Sequence, residues 1–198
     1  MILEAAIVDA YGAVFEFQEL HFILPNNRLE KYLPHGHFPE IFKRYTDDTQ
    51  MAIAIAECLL ENDDWSPEIV ADKFVEVFHR DKRRGYSDRV YNALDAGKNG
   101  KDFLKNIDNR SGGNGSAMRA YSIGLIKDIP QLLHFSETQA RTSHDTVEGI
   151  ICAKRVALAV HFHRFGHSAQ CSLIDFLNET LKECETYEVL SPIDMHGF

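Results

Sequence analysis

The chain has 198 residues, 44% of them hydrophobic and 26% charged, enough for one well-packed core and ordinary for a globular protein. With 21 basic and 30 acidic residues its formal net charge is −9, which argues against a nucleic-acid-binding surface, since that needs clustered Lys and Arg. No apolar run reaches the roughly 20 residues of a membrane span. The N-terminal stretch MILEAAIVDAYGAVFEF has no basic n-region and is interrupted by Glu4 and Asp9. Cys58, Cys152, Cys171 and Cys184 show no CxxC spacing and sit in apolar helical patterns, so they read as reduced core thiols. A cytoplasmic location is expected.

In chain order, residues 2–17 are apolar nearly all round and predict a central helix. Asp9, Gly12 and Glu16 fall on one face of it, with the glycine leaving room beside a carboxylate. Residues 18–45, with Pro25, Pro34 and Pro39, predict a long irregular loop of the kind that covers sites. His35 and His37 lie in it with no Cys or third His nearby, so zinc is not expected. A helix over 47–61 follows the acidic pair Asp47–Asp48. Ser66 and Pro67 mark the next helix start, with Val70, Phe74, Val77 and Phe78 on its apolar face. Short helices are expected at 88–95 and 101–107, and RSGGNGSAMR predicts a glycine loop running into a helix near Ala117. A helix through DIPQLLHFSETQARTS comes next. Another opens on Asp145 with Glu148 in capping-box spacing and stops at Gly166, which puts His163 and His167 at a solvated helix end rather than around a metal. The last helix, from Ser172 to about Glu185, buries Leu173, Phe176, Leu177 and Leu181. No segment alternates with a period of two. The fold class is all-α, one domain over residues 1–198.

Several groups carry chemistry. Thr46 is placed to cap a helix, and Asp47 and Asp48 suit the first turn beside the positive end of the macrodipole. A single Asp would serve that purpose, and paired carboxylates near an interior call for protons or a hard cation such as Mg²⁺ or Mn²⁺. Both readings stand on the residues alone. Gly112, Gly113 and Gly115, followed by Ser116 at a helix start, form either a structural turn or an anion cradle of free N–H groups. It is neither a P-loop nor a dinucleotide fingerprint. His144, directly before Asp145, is either a loop histidine or a ligand donor.

Taken together, the order DAYGAVFE, YTDDTQM, GGNGSAMR and TSHDTVEG resembles the ADP-ribosylglycohydrolase family, over residues 1 to about 165. The resemblance implies an orthogonal all-α domain with a two-metal magnesium or manganese centre that hydrolyses the bond between ADP-ribose and a modified protein or related acceptor. It implies metal ligation by Glu16, Thr46, Asp47 and Asp48, and a catalytic set of Glu16, Asp47 and Asp48 in which Glu16 positions or activates the attacking water. It implies that Gly113, Asn114, Gly115, Ser116, Ala117 and Met118 cradle ADP-ribose, with His144 against a ribose or the adenosine part. Residues 18–45 would be the loop over the site. Two departures stand out. Val8 replaces a family glycine, and the chain reaches SPIDMHGF without the family's Asp-x-Asp-Thr motif, Asp194 being the lone acidic residue there. The expectation is therefore the first two thirds of a domain lacking its last helices, at most one weakly held metal, and impaired hydrolysis. The alternatives are a non-catalytic ADP-ribose binder, or a structural remnant or subunit.

Overall fold

The computed structural model describes residues 1–182. Ten α-helices make up the described chain: α1 Ile2–Gly12, α2 Leu20–Asn26, α3 Asp47–Glu61, α4 Pro67–Arg80, α5 Asp88–Ala96, α6 Gly100–Asn106, α7 Gly115–Met118, α8 Ile129–Arg141, α9 Val147–Arg164 and α10 Leu173–Lys182. Short 3₁₀ turns join them, the longest being Ala120–Leu125. No strand occurs among the described residues, and the fold is all-α. No described helix is long and apolar enough to cross a membrane. Cys184, Asp194 and the expected end of the last helix lie outside the described residues.

The core forms where apolar stripes at helical spacing meet. Met51, Ile55 and Cys58 of α3 join Val70, Phe74, Val77 and Phe78 of α4, with Leu94, Phe103, Leu132 and Leu158 from later helices. Trp65 stacks on Phe135 with ring centroids 4.4 Å apart. Helix α4 starts as its sequence dictates: the Ser66 side chain accepts from the Ile69 N–H, and Pro67 occupies the first turn. Gly124 lets the 120–125 turn lie directly on α9, since a Cβ there would come within 2.5 Å of the Ala157 carbonyl oxygen.

Five expectations need correcting. Helix α1 is peripheral and buries no residue, with Leu3 70% and Val8 68% exposed. Its all-round apolarity supplies surface but does not select a neighbour, and α3 is the helix it packs on. Residues 18–45 are not wholly irregular but contain α2 and a 3₁₀ turn, Pro39–Ile41. Helix α9 is capped by Thr146, whose Oγ1 accepts from the Gly149 N–H at 3.1 Å, not by Asp145. Asp145 instead accepts from Arg141 at 2.5 Å, an i,i+4 pair spanning the end of α8. Of the cysteines, Cys58 is buried, but Cys152 and Cys171 are exposed. In α10 only Phe176 is buried, while Leu173, Leu177 and Leu181 are partly buried against the core.

Candidate active site

Two walls face each other across a cleft at the N-terminal end of α3. The acidic wall starts with a long-range cap. Thr46 is the N-cap of α3 by position, but its side chain makes no capping bond to the helix. Asp9 of α1 serves instead. It accepts from the Thr46 N–H at 2.9 Å, the Thr46 hydroxyl at 2.7 Å, the Thr49 N–H at 3.2 Å and the Thr49 hydroxyl at 2.6 Å. A carboxylate at a helix N-terminus meets both its free N–H groups and its dipole. With Asp9 in that place, Asp47 and Asp48 are turned to the cleft. Glu16 arrives by a different route from the one its spacing suggested. Helix α1 ends at Gly12, a 3₁₀ turn covers Ala13–Phe15, and Glu16 sits beyond it in extended backbone.

Glu16, Asp47 and Asp48 then line one open cavity of about 320 Å³ with Phe17, Gly85, Asn114 and Met118. Burial pushes the Asp47 carboxyl up to about 8, with the neighbouring Asp48 charge adding to it. Burial likewise raises Asp48 to about 6, reinforced by Asp9 and Glu16. Glu16 rises for the same reasons, burial first and the Asp9 charge second. Like charges gathered in a partly desolvated place hold protons or attract a cation. Their oxygens are the hard donors that suit Mg²⁺ or Mn²⁺. Among the described residues, however, no three His, Cys, Asp or Glu side chains stand close enough together to hold a metal ion. The donor chemistry fits a divalent cation, but the described carboxylates alone do not make a closed ligand set.

A segment that the sequence did not flag joins the walls. The Asp47 N–H donates to the Arg84 carbonyl at 2.9 Å. Gly85 follows with φ +109°, and a Cβ there would fall on the Asp47 carboxylate. Only glycine takes that conformation and that closeness together. Tyr86 donates to the Gln50 side chain at 2.8 Å, and Gln50 also donates to the Asp81 carbonyl, so the loop is tied to α3.

The second wall is the glycine loop. Helix α7 begins at Gly115 and is short; the buried Ser116 hydroxyl donates to the Gly149 carbonyl at 2.8 Å. Gln139 donates to the Ser116 carbonyl at 2.9 Å, which fixes the loop to α8 and α9. His144 stands over it: a Cβ on Gly115 would come within 2.5 Å of His144 Cε1 and 2.9 Å of Nε2. Behind both lies Arg119, 1% exposed. Its guanidinium donates to Gln139 Oε1 at 2.5 Å, to the Gln139 carbonyl at 2.9 Å and to Ser143 Oγ at 2.9 Å, and sits 4.6 Å from the Phe74 ring centroid. Gly113, Asn114, Gly115, Met118, Arg119 and His144 line a cavity of about 190 Å³ that also touches Asp47 and Gly85. The two cavities share Asp47, Gly85, Asn114 and Met118, so they adjoin. Ser116 and Ala117 line neither; Ser116 holds the loop in place.

The ADP-ribosylglycohydrolase family model matches residues 1–193. The chain belongs to that family. It is 33% identical over 196 residues to ADP-ribosylhydrolase ARH3 of Xenopus tropicalis, covering 93% of this chain and 55% of that protein. Human ADP-ribosylhydrolase ARH3 is 31% identical over 152 residues, covering 73% of this chain and 41% of the human one. An uncharacterized protein of Archaeoglobus fulgidus is 26% identical over 197 residues, 96% of this chain and 61% of that one. The chain thus spans about half the length of the curated relatives it matches.

Sequence reasoning named Asp9 but not its role, and it missed Gly85 and Tyr86. The Arg-Gly-Tyr at 84–86 carries no local motif, because its meaning lies in approach to Asp47 from elsewhere in the chain.

Proposed function

We propose that the cleft binds ADP-ribose and hydrolyses an ADP-ribosyl glycosidic bond on a modified protein or related acceptor. The observation that carries this is the shared border of the two cavities: a ligand lying along the glycine loop would run directly onto Glu16, Asp47 and Asp48. In this reading Gly113 to Met118 approach the phosphates and ribose closely, the role for which a side-chain-free loop ahead of a helix is suited. His144 lies against the same ligand. Cleavage needs a water set against the anomeric carbon of the ribose and a proton delivered to the departing acceptor. Carboxyls raised toward neutrality are suited to take and return that proton. Glu16 would position and deprotonate the water, while Thr46, Asp47 and Asp48 would hold one Mg²⁺ or Mn²⁺. The cation, when bound, lowers the pKa of a coordinated water and steadies the ribose oxygens.

A second reading, ADP-ribose binding with little turnover, draws on the lack of a closed metal-ligand set among the described residues. One assay separates the two: release of ADP-ribose from an ADP-ribosylated protein, with and without Mn²⁺, beside calorimetric titration with ADP-ribose and AMP. Manganese-dependent release supports the hydrolase. Preference for ADP-ribose over AMP without release supports the binder. Neither release nor preference would overturn both.

A further inference from the structure

Ser143 and His144 are both buried, at 0% and 4% exposure, and Ser143 Oγ lies 2.9 Å from His144 Nδ1. That contact has two chemical versions. Either the serine hydroxyl donates to a bare Nδ1, or an Nδ1–H donates to the serine oxygen. Arg119 decides between them. Its Nη2–H donates to the same Ser143 oxygen at 2.9 Å, and a guanidinium can only donate. If His144 donated as well, the serine oxygen would take two donors and its own proton would need a further acceptor. Among the described residues the Ser143 hydroxyl contacts only Arg119 and His144, so that proton would be buried without a partner.

We propose that Arg119 and Ser143 are positioning residues that hold His144 as its Nε2–H tautomer, so that the ring offers a hydrogen-bond donor to an acceptor atom of the ligand at the glycine loop. Nε2 is the ring nitrogen near that loop: a Cβ built on Gly115 would lie 2.9 Å from it, and one built on Gly113 3.7 Å. The ring is kept neutral by its surroundings. Burial, then the nearby cations Arg119 and Arg89, lower its pKa to about 3. Arg89 reaches in from α5 and donates to the Ser143 carbonyl at 3.2 Å, which fixes the backbone that carries both side chains. The pocket therefore meets a neutral, rigid donor, suited to a phosphate, hydroxyl or ring-nitrogen acceptor and unsuited to a group that can only donate.

The tautomer can be read without any ligand. Histidine-¹⁵N-labelled protein should show, for His144, a pyridine-type Nδ1 and a pyrrole-type Nε2 that stay unchanged from pH 5 to 9, the signal being assigned by its loss in His144→Gln. Ser143→Ala should move the His144 nitrogens toward a tautomer average and weaken ADP-ribose binding about three- to tenfold, the scale of one side chain losing its fixed arrangement. Ser143→Thr, which keeps the hydroxyl, should restore both. A pyrrole-type Nδ1 in the wild-type protein overturns the proposal, as does a Ser143→Ala spectrum indistinguishable from wild type. The ligand arm rests on the functional reading above, whereas the spectrum does not. Failure of ADP-ribose to bind would overturn that reading and leave the tautomer decided by the spectrum.

Discussion

On the glycine-loop wall, the groups that face inward are paired. Arg119 donates to Gln139 and Ser143, Ser143 meets His144, and Gln139 and Ser116 complete the links to α8 and α9. On the facing wall, burial raises the pKa of Asp47 and Asp48, the Asp48 charge adds to the rise of Asp47, Asp9 and Glu16 add to both, and no described residue makes an ion pair with either. The first wall is shaped before a ligand comes, so binding there orders little. The second stores unfavourable charge that a proton or a cation relieves. Asp9 shows how the difference arises. It is also a carboxylate at the head of α3, yet it receives four donors, and so it builds the wall rather than facing the cleft.

The largest expected effect breaks the paired wall. Arg119→Met should lose about 2–4 kcal/mol of stability in urea unfolding, because Gln139 Oε1 and Ser143 Oγ lose the buried donor that serves them, while the Gln139 carbonyl keeps only the Thr142 hydroxyl. A loss below about 1 kcal/mol would mean that burying the cation costs nearly as much as its hydrogen bonds contribute. Next comes Asp9→Ala, which removes the acceptor for two N–H groups and two hydroxyls at the head of α3. It should cost about 1–2 kcal/mol, with Asp9→Asn falling between it and wild type. An unchanged unfolding midpoint in Asp9→Ala would show that water serves those donors equally well.

The contrast between the walls also decides what could be read from sequence. Helix positions were legible, since periodicity and caps are local: the bounds of α3 and the start of α4 at Ser66–Pro67 fall where the pattern put them. The paired carboxylates and the glycine loop were visible for the same reason. What escaped depends on distant pairing. Residues 9 and 46 are 37 apart, and the threonine that looks like a cap donates its hydroxyl elsewhere. Gly85 has meaning only against Asp47. Arg119 looks like the end of a motif and is the buried anchor of His144. The exposure of α1 was illegible too, because an apolar pattern does not reveal whether a neighbour covers it.

The acidic wall makes a signed pH prediction. Asp47, at about 8, and Asp48, at about 6, have folded-state pKa values above the usual 3.8, so the folded chain binds more protons than the unfolded one between about pH 4 and 8. Stability then falls as pH rises through that window and levels off above it. Asp47→Asn removes the main contributor. It should flatten the curve and be more stable than wild type at pH 8 by about 1–2 kcal/mol, a value kept modest by the partial exposure of the site. Thermal or urea unfolding from pH 5 to 8.5 measures it. Parallel curves for the two proteins would remove charge repulsion as the organising feature of this wall.

The smallest effect sharpens the same point. If the wall is strained by charge, Mg²⁺ or Mn²⁺ should replace the protons. Binding should therefore strengthen as pH rises from 6 to 8, the ligands needing to be deprotonated. Hard divalent ions take about six oxygens and keep waters readily, and the described carboxylates do not form a closed set, so one loosely held ion is expected rather than two tight ones. At a metal concentration ten times Kd the gain in stability is only about 1.4 kcal/mol. Calorimetry should return a single site that disappears in Asp47→Ala and in Asp48→Ala. The difference between the walls gives the control: Ser143→Ala, on the paired side, should leave metal binding where it was. Metal affinity that persists in Asp47→Ala, or is indifferent to pH, would place the ion away from this wall and sever the link between stored charge and cation binding.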